Sequence, residues 1–111
     1  MTTAVTPAAT AAMTDEQRKA IALEYLKRLD RGQDFFDLFD DHAQMYFPKC
    51  GLANGLDEIK QVFGNVASIV SAVTHDYAYL NFIHQGDTVV VEGTSSGRAA
   101  CGTEWRCLLY T

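Results

Sequence analysis

The spacing of apolar residues changes from mainly helical to period two near Ser71, and that change constrains the fold more than any other feature. Before it, Ile21, Ala22, Tyr25, Leu26 and Leu29 recur at helical spacing. Ile59, Val62, Phe63, Val66 and Val70 do so again, at i, i+3, i+4, i+7 and i+11. After it the period is two. His75, Tyr77, Tyr79 and Asn81 alternate with Ala78, Leu80 and Phe82 as far as Ile83, Thr88 to Gly97 is β-branched, and Thr103 to Tyr110 reads as a further long strand. Gln85-Gly86-Asp87 and residues 98–102 supply the turns. Helical stripes and strand faces must bury their apolar sides against each other. Helices first and strands second therefore predict an α+β domain, a cone in which three N-terminal helices pack on a curved antiparallel sheet.

Local signals set the boundaries. Thr14 with Gln17 three residues later is a capping box, and Asp15 and Glu16 suit the positive end of a helix dipole. Gly32, after Arg28 and Arg31, is the stop, so the first helix spans Asp15 to Asp30. A short second helix is expected over Asp34 to Asp40, with Phe35, Phe36, Leu38 and Phe39 buried and Asp37 and Asp40 wet. Asp41-His42 breaks it. Ala43 to Phe47 alternates as a first strand stopped by Pro48, and Gly51, Asn54 and Gly55 form a turn region. Asp57 can cap a third helix, which Gly64 weakens without ending. Phe35, Leu38, Phe39, Phe63 and Val66 are expected to form much of the core. Residues 1–13, mostly Thr and Ala, read as a flexible leader before a domain over residues 14–111.

At 111 residues the chain is one domain's worth. Nine Lys and Arg against 14 Asp and Glu give a net charge of −5, with no basic stripe to displace counterions from a nucleic acid. No apolar run is long enough to cross a bilayer, and the leader lacks the basic start and apolar centre of a signal peptide. Cys50, Cys101 and Cys107 are an odd set without a CxxC pair, which fits reduced thiols in a cytoplasm better than a disulfide scaffold or a zinc site. There is no GxSxG, HExxH, phosphate loop or dinucleotide fingerprint. The expectation is a protein without cofactor, metal or nucleotide.

A few residues could carry chemistry. Tyr25 lies on the inward stripe of the first helix, either as core packing with a satisfied hydroxyl or as a donor pointing into an apolar cavity against the concave sheet. Asp40, Asp41 and His42 are adjacent, but neighbouring residues point in different directions and a polar helix end explains them as well. His75 shares a strand face with Tyr77, Tyr79 and Asn81, a polar-aromatic face that lines a pocket or meets a partner subunit. His84 reads as a turn residue. On the last strand Glu104 and Arg106 share one face, and Trp105, with Cys107, the other. That places Trp105 in a sheet face or at a pocket wall.

Longer segments carry a resemblance. Tyr25-Leu26-Lys27-Arg28-Leu29-Asp30-Arg31-Gly32, Leu38-Phe39-Asp40-Asp41-His42-Ala43, Gly55-Leu56-Asp57-Glu58-Ile59 with Phe63, and Gly86-Asp87-Thr88-Val89-Val90-Val91-Glu92-Gly93 together resemble the nuclear transport factor 2-like superfamily, most closely its SnoaL-like polyketide cyclase and ketosteroid isomerase branch. The resemblance covers about Asp15 to Tyr110 and implies the cystatin-like, cone-shaped roll. It places Tyr25 where that branch has its oxyanion-hole tyrosine. The branch's general-base Asp precedes a Pro on the first strand; here Phe47 precedes Pro48, so that base is missing. Such domains usually end with another long strand after the one holding Trp105, which this chain is expected to lack: either the sheet edge is exposed, or a partner covers it, as in a homodimer through the sheet, or the chain is a shortened version of a longer protein.

The resemblance implies a small-molecule pocket protein, and, if an enzyme, a cofactor-free isomerase or cyclase acting on an apolar carbonyl compound. Tyr25 would donate to the developing oxyanion, and His75 or Asp41 near the pocket mouth would move the proton. Met45, Phe47, Phe63 and Trp105 would line the pocket. The alternative is a non-catalytic ligand-binding or dimerisation module of the same fold. Epoxide hydrolysis, another activity on this fold, needs an Asp-Arg-Asp set, and the strand from Val89 to Ser95 carries no such pair.

Overall fold

The first helix, α1, spans Asp15–Asp30, as its capping signals predict. In this computed structural model, which describes residues 2–4, 13–48 and 50–110 and the side chains of 13–48 and 50–106, the capping box closes. Thr14 Oγ1 accepts from the Gln17 amide at 3.2 Å, and the Gln17 side chain accepts from the Thr14 amide at 2.9 Å. Tyr25 and Leu26 form the buried face of α1.

The helix expected over Asp34 to Asp40 is instead a single 3-10 turn at Phe36–Leu38. Asp34 accepts the Phe36 amide at 3.0 Å and Asp40 accepts the His42 amide at 2.8 Å. Two short acids that bind nearby backbone compete with a helix, and the stretch between them is too short to repay nucleation. Phe35 and Phe39 nevertheless reach the interior from either side of the turn, and Leu38 packs against them in part. Among the described residues the α-helices are therefore two, not three.

A small antiparallel sheet follows, with β1 (Thr2–Ala4), β2 (Gln44–Phe47) and β3 (Gly51–Asn54) in that order. β1 lies inside the segment read as a leader. The expected turn region at residues 51–55 is largely β3, paired Met45 to Ala53 and Tyr46 to Leu52. Directly opposed residues share a face. Met45 and Ala53 are buried, whereas Tyr46 and Leu52 are exposed. The second helix, α2, spans Gly55–Ala67 and starts from Asn54, three residues before Asp57, which sits in its first turn and does not cap it. It ends before Val70, so that residue belongs to the next strand and not to the helical stripe.

The larger sheet is organised on one strand of 12 residues, β6 (Thr88–Ala99). β7 (Glu104–Tyr110) pairs with it from Arg98↔Glu104 to Glu92↔Tyr110. β4 (Val70–His75) and β5 (Asn81–Gln85) also pair with β6, at Ser95↔His75 and Glu92↔Asn81. Ser95 and Glu92 already face β7, and a strand has only two edges. β4 and β5 therefore share the other edge, end to end. Between them residues 76–80 oppose only Gly93 and Thr94. The alternation from His75 to Ile83 thus does not make one strand: it bulges out as a 3-10 turn at Tyr77–Tyr79. Gly93 makes room for the bulge, since a Cβ there would stand 2.6 Å from Leu80 Cδ2.

Every layer contributes to one core. Its most deeply buried large side chains are Leu26 of α1, Ile59 of α2, Met45 of β2 and Val91 of β6, with Phe63 and Val66 packed against the cluster. α1 lies against β4 and β6, and α2 against β2, β3 and β4. No helix among the described residues is long and apolar enough to cross a membrane.

Candidate functional site

Helix α1 delivers two polar side chains to the interior, Tyr25 and, at its last residue, Asp30. The Tyr25 ring stands edge-on to Phe35, Phe39 and Phe63, with centroids 5.3, 5.7 and 6.4 Å away. Such pairs place ring edges on π-faces and fix the phenol's orientation. Its buried hydroxyl has no hydrogen-bond partner among the described residues. Burial pushes the Tyr25 pKa far above the ordinary tyrosine value, so the group is a neutral O–H donor.

Asp30 occupies a position that a helix disfavours for an anion, because the carbonyl end of the dipole is negative. Three donors compensate. The His75 amide donates to Oδ2 at 2.8 Å, His75 Nδ1 lies 2.7 Å from Oδ1, and the Tyr77 hydroxyl donates to Oδ2. The carboxylate and imidazole side chains are only 7% and 4% exposed. A carboxylate oxygen accepts only, so Nδ1 carries a proton, and in the neutral imidazole Nε2 then holds the lone pair. Nε2 makes no hydrogen bond among the described residues. This is the arrangement of an oriented base: acid, imidazole, and an open nitrogen beyond. Burial, the bond to Asp30 and the Asp30 charge, opposed by Arg31, raise the Tyr77 pKa beyond the ordinary range.

The other expected site residues are distributed unevenly. Phe63 meets the Tyr25 ring, Met45 is fully buried, and Phe47 is half-buried against the core. Trp105 pairs with Gly97, two residues along β6 from the Ser95 that faces His75, so both project from the same sheet face. Its ring lies over Gly97, where a Cβ would stand 2.4 Å from it. Asp41 is exposed, and its backbone carbonyl accepts from the Leu56 amide at 3.2 Å. No hydrogen bond links Asp41 to Tyr25 or His75 among the described residues. The bulge dissolves the expected face of His75, Tyr77, Tyr79 and Asn81: His75 is buried, Tyr77 turns to Asp30, and Tyr79 is 78% exposed. His84, read as a turn residue, lies within β5, half-buried, its Nδ1 3.8 Å from Asp15 Oδ1. Glu104 pairs with Arg98 across the hairpin at 2.8 Å. Cys50 and Cys101 are free and exposed, and the Cys107 side chain lies outside those described.

Sequence reading passed over Asp30 and gave Tyr77 no role of its own. One signal was present: an acid as the last helical residue, where the dipole favours a cation, needs a partner elsewhere in the chain. Comparisons of the chain with protein-family models, with curated proteins and with solved structures gave no match.

Proposed function

We propose that this chain is a small-molecule pocket domain of the nuclear transport factor 2-like, SnoaL-like kind, with the helices against the hollow of a cone-shaped roll, and that it performs cofactor-free acid–base chemistry. The substrate is an apolar compound with a carbonyl group, and the reaction is isomerisation or cyclisation. The observation that carries the reading is the buried Asp30–His75 pair with Nε2 open. Nε2 takes a proton from the carbon beside the carbonyl, and the electron pair moves onto oxygen. The Tyr25 hydroxyl, neutral and without a protein partner, donates to that oxygen. The imidazolium, stabilised by Asp30, returns the proton at a second carbon, or the carbanion adds to a second carbonyl carbon of the same compound, whose C=O π pair moves onto its oxygen and takes the imidazolium proton. His75 thus fills the role that the Asp missing before Pro48 would have held, and Asp41 is not needed.

The test is proton exchange. Apolar cyclic ketones are incubated with the protein in deuterium oxide, and loss of the α-proton signal is followed by NMR. His75→Gln should slow exchange by roughly 10²–10⁴-fold, and Tyr25→Phe by roughly 10²–10³-fold. Ketones that bind without any exchange would favour the second reading, a non-catalytic ligand-binding module, for which the apolar surroundings of Tyr25 speak. A cytoplasmic homodimer through the larger sheet belongs to the same proposal. Ile83, exposed on β5, and the second edge of β7, unpaired among the described strands, support it.

A further inference from the structure

The bulge between β4 and β5 has a visible result. A strand running straight along β6 would keep its ladder, yet here five residues oppose two and the 3-10 turn Tyr77–Tyr79 stands out from the sheet. The Asp76 amide ties the bulge to the Thr94 carbonyl at 3.1 Å, and Leu80 folds over Gly93. Of the two tyrosines presented, Tyr79 stays in solvent and Tyr77 reaches the Asp30 carboxylate. Oδ2 then holds two donors and Oδ1 one, and that one is His75 Nδ1.

We propose that Tyr77 is a positioning residue of this site: its hydroxyl holds Oδ2, draws carboxylate charge away from Oδ1, and so tempers the Nδ1–H bond that sets the basicity of Nε2 of His75. The inference rests on the acid–base reading above and adds to it the residue that sets the strength of the Asp30–His75 bond. Tyr77 acts only through Asp30. Partial desolvation and the neighbouring carboxylate favour its neutral, donating form, although the residue is 37% exposed. Without that donor, more of the carboxylate charge falls on the Nδ1–H bond.

The measurement is the low-field proton NMR spectrum of the full chain, where a strongly hydrogen-bonded imidazole N–H resonates apart from all amides. The wild-type protein should show one such signal, and Asp30→Asn should lose it. In Tyr77→Phe, which keeps the ring, the signal should move further downfield. A merely structural tyrosine would lower thermal stability and leave the resonance where it was, which would overturn the proposal. Absence of the signal in the wild-type protein, or its survival in Asp30→Asn, would overturn the dyad reading and this inference with it. Should Tyr77→Phe not fold, 3-fluorotyrosine incorporated throughout gives more acidic phenols. The signal should then move upfield, and an unmoved signal would again refute the role of Tyr77.

Discussion

Tyr25 and Tyr77 are both phenols held away from ionisation, for different reasons. Tyr25 is buried among phenylalanines, while Tyr77, 37% exposed, is only partly desolvated and has a carboxylate partner. In both, the folded pKa lies above the unfolded value of about 10. Their contribution to stability is complete below that pH. Above it the unfolded chain loses these protons first, so stability falls as pH rises toward the folded values. Denaturant unfolding between neutral pH and pH about 11 should therefore show an alkaline loss, and Tyr25→Phe should make it shallower. An identical slope in the variant would refute the assignment. Phe39 serves packing alone, against the Tyr25 and Phe35 rings. Phe39→Ala should cost about 3–5 kcal/mol, a large share of a small domain's stability, and unchanged thermal unfolding would contradict it.

At the scale of elements, two features depend on single side chains. The capping box of α1 satisfies two backbone donors at once, and Thr14→Ala should lower stability by about 1 kcal/mol, read from the denaturation midpoint. The bulge depends on the absence of a side chain at Gly93. Gly93→Ala should displace Leu80 and with it the turn that carries Tyr77, lowering the melting temperature. Leu80→Ala in the same chain should recover part of that loss, because it removes the atom 2.6 Å from the new Cβ. A double variant that melts at or below the sum of the two single losses would show that the contact is not the cause. The start of α1 and the apolar stripes of α1 and of α2 as far as Val66 were legible because they depend on residues three or four apart, whereas Asp57 does not cap α2 as expected. The 3-10 turn at Phe36–Leu38 was not, since four apolar residues between acids satisfy a helical pattern too short to nucleate. The interrupted strand was missed for a related reason. Its alternation is genuine on both sides of the bulge, and only the fit of Leu80 on Gly93, across the ladder, shows where it breaks.

For the whole molecule, the order of elements already suits helices packed on antiparallel sheets. If the larger sheet carries the proposed homodimer, sedimentation should give twice the 12.2 kDa chain mass, and Ile83→Lys should return it to the monomer. A wild-type monomer across micromolar concentrations would end that proposal. By itself the sequence determined what depends on neighbours along the chain: the capping box of α1, the helical stripes of α1 and α2, the change to alternating strands, and the burial of Phe35, Phe39 and Tyr25. Tertiary structure decided the candidate site. Asp30 and His75 lie 45 residues apart, and each has an ordinary local reading as a helix end or a strand residue. Their pairing comes from the register of β4 on β6 and from the packing of α1 on both, where burial leaves a carboxylate and an imidazole no better partner than each other.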